Sequence, residues 1–149
     1  MEKIYTALGL MSGTSMDGVD ASIIQTDCGS HYETILDKYY QYDDNLHNEL
    51  TSLRAKINSS DDLKVFSNEV KSLEKKITLF HAEVVKNILN EATVEIDFIG
   101  FHGQTIYHNS DNKISKQLGD GKLLSQLTKK KLSMILDKMT LKMEDKERH

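Results

Sequence analysis

The chain has 149 residues, 38% hydrophobic and 28% charged, which suits one globular domain with a real core and lies outside the disordered class. A net charge of −4 argues against a nucleic-acid surface, which needs clustered basic residues, and no apolar run reaches the length of a membrane-spanning helix. The single cysteine, Cys28, excludes an internal disulfide framework and the multi-cysteine zinc patterns; the first residues carry no signal-peptide pattern, so a cytoplasmic protein is expected. Six scattered histidines lack an HExxH spacing, so no metal cage follows from the sequence. Proline is absent, which leaves turns to glycine, asparagine and aspartate.

Residues 4–11 are mostly apolar and read as a buried strand. A turn of small and polar residues follows, Gly13-Thr14-Ser15-Met16-Asp17-Gly18, in which Gly13 and Gly18 are expected to supply positive φ. Val19, Asp20 and the alternating residues up to Ile24 then return as a second strand. The turn has two readings. It is an ordinary hairpin connection, or it is an anion nest whose consecutive N–H groups and two hydroxyls hold phosphate. In the second reading Asp17 and Asp20 are placed to hold Mg²⁺, directly or through water. Residues 31–42 read as a third strand, completing an antiparallel meander.

Asp43-Asp44-Asn45 can cap a helix over about 46–57 with Leu46, Leu50, Leu53 and Ile57 on one face. Behind the cap cluster at 58–62, Phe66, Val70, Leu73, Ile77, Phe80, Val84 and Ile88 form one continuous helical stripe. His81, at the edge of that stripe, is read as a packing or surface residue and not as a ligand. Residues 96–101 form a buried strand, expected to join the first in parallel through a right-handed crossover. It ends in His102-Gly103-Gln104-Thr105, a small polar turn at the carboxyl edge of the sheet, where open α/β sheets bind ligands. Ile106-Tyr107-His108, a polar turn at 109–112 and a glycine-rich turn at 116–121 come next. A short helix at 122–130 is expected to turn Leu123, Leu124 and Leu127 inward.

Three segments in this order, 9–21 (with Met-Ser-Gly-Thr-Ser-Met-Asp-Gly-Val-Asp at its centre), 99–108 (with Phe-His-Gly-Gln-Thr) and Gln117-Leu-Gly-Asp-Gly121, closely resemble the anhydro-N-acetylmuramic acid kinase family. The resemblance runs from about residue 4 to about residue 130. It implies an α/β fold, the N-terminal domain of the actin-like ATPase, sugar-kinase and Hsp70 group, with a mixed sheet and packed helices. It implies ATP and Mg²⁺ as cofactors and an anhydro amino sugar as substrate. That sugar's 1,6-anhydro ring is opened with water and phosphorylated to N-acetylmuramic acid 6-phosphate in cell-wall recycling. Gly13, Thr14, Ser15, Met16, Asp17, Gly18, Val19 and Asp20 would form the ATP-phosphate loop. His102, Gly103, Gln104 and Thr105 would line the sugar side. Asp120 would lie near it, or else cap the helix that follows.

Past residue 130 the family continues with a strand, an Asp-Phe-Arg segment and the aspartate that activates water. Residues 131–149 show none of these, and Asp137, between Leu136 and Lys138, is given no catalytic role. The expected division is therefore an incomplete kinase domain at 1–130 and a divergent tail at 131–149, as a truncation or a change of reading frame would leave. No catalytic residue and no metal ligand set is assigned. Little or no kinase activity is expected of the chain by itself, because this kinase type closes two domains around its substrates. The alternative is a non-catalytic remnant, or a nucleotide-binding half. Neither nucleic acid nor membrane is an expected partner; self-association or a separately encoded second half is.

Overall fold

The central strand of the sheet is the first one in the chain. In the computed structural model, which describes residues 3–13, 15–27, 29, 31–111, 113–129 and 132–134, β1 (Tyr5–Ser12) sits in the middle of a sheet ordered β3-β2-β1-β4-β7. β2 (Gly18–Thr26) pairs antiparallel with β1 from Tyr5↔Thr26 to Ser12↔Val19. β3 (Tyr32–Gln41) pairs antiparallel with β2, with a bulge between Ile23 and Ile24. The expected meander is present. β4 (Phe98–Phe101) lies parallel to β1, with Leu10 opposite Phe101, so the carboxyl ends of these two strands open side by side.

One face of this sheet carries the main core. Leu8 and Leu10 of β1 and Val19, Ala21 and Ile23 of β2 are fully buried in one cluster with Leu73, Ile77, Val84 and Ile88 from the long helix. Each such side chain contributes about 1.5–3 kcal/mol by leaving water. A smaller cluster, Ala7 and Ile24 with Tyr32 and Phe98, is built from the alternate positions on those strands.

α1 (Asp44–Lys56) begins at Asp43, whose carboxylate accepts from Leu46 N at 2.7 Å, and it buries Leu46, Leu50 and Leu53. The long stripe is divided. α2 (Asp62–Val65) stops at Phe66, and α3 (Ser67–Glu91) carries the buried positions from Val70 to Ile88. Phe66 and Phe80 are only partly buried, while His81 is completely enclosed.

Beyond β4 the structure departs from the expected turns. β5 (Gln104–Asn109) and β6 (Ile114–Leu118) form a separate antiparallel pair. Gln104 and Thr105 therefore lie in a strand, and so do residues 116–118. Turn-forming composition masked a period-two pattern in which Gln104, Ile106 and Leu118 point inward. α4 (Gly121–Thr128) buries Leu124 only; Leu127 is 45% exposed and Leu123 is half-buried, because this short helix meets α3 along one edge.

β7 (Leu132–Met134) runs parallel to β4, from Ile99↔Leu132 to Phe101↔Met134. The absence of the strand expected from the sequence past residue 130 is thus corrected: a strand follows α4 and extends the sheet. Asp137 lies outside the described residues.

Candidate functional site

The loop joining β1 to β2 sits at the open carboxyl edge of β1. Gly13, Ser15 and Asp17 are exposed along it, whereas Met16 is 1% exposed and reaches into the core. Positive φ falls on Met16, at 60°, and on neither Gly13 nor Gly18. The tight bend is thus stabilised by a buried methionine in the left-handed region, against the ordinary steric preference. Gly18 serves a different need: a Cβ there would run into the Tyr40 carbonyl and stand 2.9 Å from Gln41 Cα. Val19 is buried in β2 and Asp20 is half-buried. Thr14 lies outside the described residues.

The loop is held by its carbonyls. Gly13 O accepts from Gln104 Nε2 at 2.9 Å and from Met16 N at 3.2 Å. Met16 O accepts from His47 Nδ1 at 2.9 Å, and Asp17 O from Tyr42 N at 2.8 Å. Elements far apart in sequence supply these donors: the start of β5, α1, and the residue after β3.

A buried polar chain stands behind them. The Tyr42 hydroxyl lies 3.2 Å from Ser12 Oγ and 3.0 Å from Gln104 Oε1. Ser12 Oγ is 3.3 Å from His81 Nε2, and His81 Nδ1 is 2.7 Å from Ile77 O. A carbonyl only accepts, so Nδ1 carries the imidazole proton, and Nε2 is left to accept from Ser12. Burial holds His81 down to about 4 and pushes Tyr42 up to about 12, so both stay uncharged across the neutral range.

Asp17 and Asp20 face a common neighbour. Tyr39, cross-strand partner of Asp20, is 57% exposed; its phenol is raised first by desolvation and then by the charges of Asp17 and Asp20. Asp17 also stands 3.9 Å from His47 Nδ1. Among the described residues no group of three or more His, Cys, Asp or Glu side chains could hold a metal ion. Two carboxylates beside a phosphate suffice for Mg²⁺, which keeps several waters.

The His102–Thr105 segment is divided by the structure. His102 is exposed; Gly103 has φ 85° and is buried, where a Cβ would sit 2.7 Å from Leu118 O. Gln104 is fully buried and spends its amide N–H groups on Gly13 O and, at 3.2 Å, Thr105 O, so it does not face a ligand. Thr105, half-buried, lines a cavity of about 330 Å³ with Arg54, Asn58, Tyr107 and His108. Asp120 takes the capping role, its carboxylate accepting from Leu123 N at 3.0 Å.

Helix α3 braces the third glycine segment as well. Glu74 Oε2 accepts from Gly119 N at 3.2 Å and Thr78 Oγ1 from Asp120 N at 2.9 Å. Glu74, Thr78 and His81 recur at four- and three-residue steps, one stripe of a helix. Sequence reasoning missed this polar stripe, along with Tyr42 and His47, and placed Met16 in the loop without its burial; the helical spacing of the three α3 residues was the available signal.

A mixed sheet with an antiparallel meander at one side, a parallel continuation at the other and a small polar loop after its central strand defines an α/β domain of the actin-like ATPase and sugar-kinase type. Within that class the chain belongs to the anhydro-N-acetylmuramic acid kinase family, whose model matches residues 5–138. The match passes residue 130 and includes β7. Curated relatives named anhydro-N-acetylmuramic acid kinase include one from Pelagibacter ubique, 61% identical over 130 residues, covering 87% of this chain and 35% of that protein. Relatives with the same name from Agrobacterium fabrum and Brucella canis are 37% and 36% identical over 131 residues, each covering 86% of this chain and 35% of the relative. The chain thus spans about a third of the length of the curated relatives it matches. No helix among the described residues is long and apolar enough to cross a membrane.

Proposed function

We propose that this chain is the phosphate-binding part of an ATP-dependent kinase acting on an anhydro amino sugar, opening 1,6-anhydro-N-acetylmuramic acid and yielding its 6-phosphate. The observation that carries the reading is the set of hydrogen bonds holding the carbonyls of Gly13, Met16 and Asp17. In a trans peptide the N–H points opposite to the carbonyl. Binding Met16 O to His47 and Asp17 O to Tyr42 therefore turns the N–H groups of Asp17 and Gly18 away from those donors. Such an arrangement suits phosphate oxygens, with the exposed hydroxyl of Ser15 as a further donor. Thr14 has the right chemistry to join them. Asp17 and Asp20 would hold Mg²⁺ through oxygen and water.

His102 and Thr105 would serve the sugar side, with Gly103 and Gln104 shaping the backbone there. Asp120 is better read as a helix cap. The domain is proposed to run from the first residues through β7, so that only the residues past the family match at 138 form a distinct tail. A second domain, corresponding to the further length of the curated relatives, would close the cleft and supply the base that activates water.

The test is titration of the purified chain with ATP by calorimetry, with and without Mg²⁺. Saturable binding strengthened by Mg²⁺ supports the reading; no binding at millimolar ATP removes it. Turnover of the anhydro sugar by the chain alone would overturn the expectation that a second domain is required.

A further inference from the structure

We propose that His81 is a positioning residue for the loop at 13–20, holding it through Ser12 and the buried hydroxyl of Tyr42. This rests on the reading of that loop as the phosphate site, and it assigns the geometry of the loop to a helix outside it.

The chain of contacts runs from the backbone of α3 to the loop. Ile77 O fixes the imidazole by taking the Nδ1 proton at 2.7 Å. The ring is clamped edge-on against Phe101, centroids 5.0 Å apart, at the carboxyl end of β4. Its Nε2 then faces Ser12 Oγ at 3.3 Å, the last residue of β1 before the loop. The single Tyr42 hydroxyl proton is shared between Ser12 Oγ and Gln104 Oε1, and Tyr42 N and Gln104 Nε2 in turn hold Asp17 O and Gly13 O. His81 and Gln104 are fully buried and Tyr42 is 3% exposed. An unmatched polar atom in that setting is costly, so the whole chain is constrained to one arrangement. Tyr42 is further fixed by an edge-to-face contact with Phe80, the residue before His81. Two adjacent α3 residues therefore grip the end of β1, where the loop begins, and the residue after β3 that holds Asp17 O.

A purely structural role would lower stability everywhere; a positioning role shows itself at the loop. The reporter is the Tyr42 amide, which donates to Asp17 O at 2.8 Å, followed by NMR hydrogen exchange in the full chain and compared with the Leu10 amide in β1. His81→Leu removes both ring nitrogens. Tyr42 exchange is expected to accelerate about tenfold more than that of Leu10, with displaced Gly13 and Gly18 amide shifts. His81→Gln, whose terminal amide can again accept from Ser12, is expected to restore most of that protection. Ile88→Val, elsewhere in the α3 core, should lower stability without the selective effect. Should His81→Leu fail to fold, Ser12→Ala interrupts the same chain without opening a large cavity and is held to the same expectation. If Tyr42 and Leu10 respond alike in both His81→Leu and Ser12→Ala, the proposal is overturned. ATP titration of the same proteins separates the two readings. A loop that loosens selectively in a chain that binds no ATP keeps His81 as its anchor and removes the phosphate function. ATP affinity unchanged by selective loosening overturns the positioning role.

Discussion

Gln104 donates its side-chain amide to the carbonyl of Gly13 at 2.9 Å, joining two segments 91 residues apart. The parallel pairing of β1 with β4 makes this possible, because Leu10 opposite Phe101 brings both chain exits to one edge. Replacing Gln104 by glutamate keeps its shape and its acceptor for Tyr42, but sets a carboxylate oxygen against the Gly13 carbonyl. Because that carboxylate is fully buried, a loss of more than about 3 kcal/mol is expected in urea unfolding at neutral pH, with weakened ATP binding.

Gly18 and Gly13 make a matched pair for substitution. A Cβ on Gly18 enters the space of the Tyr40 backbone, which cannot yield as a side-chain tip would, whereas one on Gly13 meets Ser15 Oγ at 3.7 Å. Gly18→Ala is expected to destabilise the chain by about 1–3 kcal/mol. Gly13→Ala should stay within about 0.5 kcal/mol. Thermal unfolding of both variants checks the contrast.

Much of this fold was legible because hydrophobic periodicity and caps agree locally. The meander, the Asp43 cap and the buried run of α3 follow from patterns within single segments. The candidate site was legible only as a location. Gln104 reads in sequence as a polar loop residue open to a ligand; its burial depends on Gly13 arriving from another strand. Glycines at 13 and 18 suggested positive φ, but that burden fell on Met16, because its side chain finds a place in the core. His81 looked peripheral because one polar residue in an apolar stripe gives no sign of its partner; Ser12 completes it from the sheet.

The buried imidazole gives stability a definite pH dependence. Burial lowers His81 from its ordinary 6.5 to about 4, so the unfolded chain binds a proton that the folded chain refuses between those values. Stability from this group is fully present above about pH 6.5 and declines as pH falls towards 4, by up to about 3 kcal/mol. The melting temperature should drop accordingly between pH 7 and pH 4.5. In His81→Gln that part of the slope should be absent, leaving the contribution of the other titrating groups.

Asp17 and Asp20 carry the Mg²⁺ part of the proposed site. Asp17 is exposed and Asp20 lies on β2 opposite Tyr39, whose phenol is raised by desolvation and then by both charges. Removing one charge without changing shape separates cation binding from phosphate contact. Asp17→Asn and Asp20→Asn are each expected to reduce the gain in ATP affinity on adding Mg²⁺ by about tenfold, which corresponds to about 1.4 kcal/mol. Affinity for ATP without Mg²⁺ should rise slightly, since a carboxylate no longer repels the phosphates. Calorimetric titrations in Mg²⁺ and in EDTA give both quantities. A Mg²⁺ increment unchanged in both variants would remove these carboxylates from the cation site and leave the loop amides and the Ser15 hydroxyl as the basis for phosphate binding.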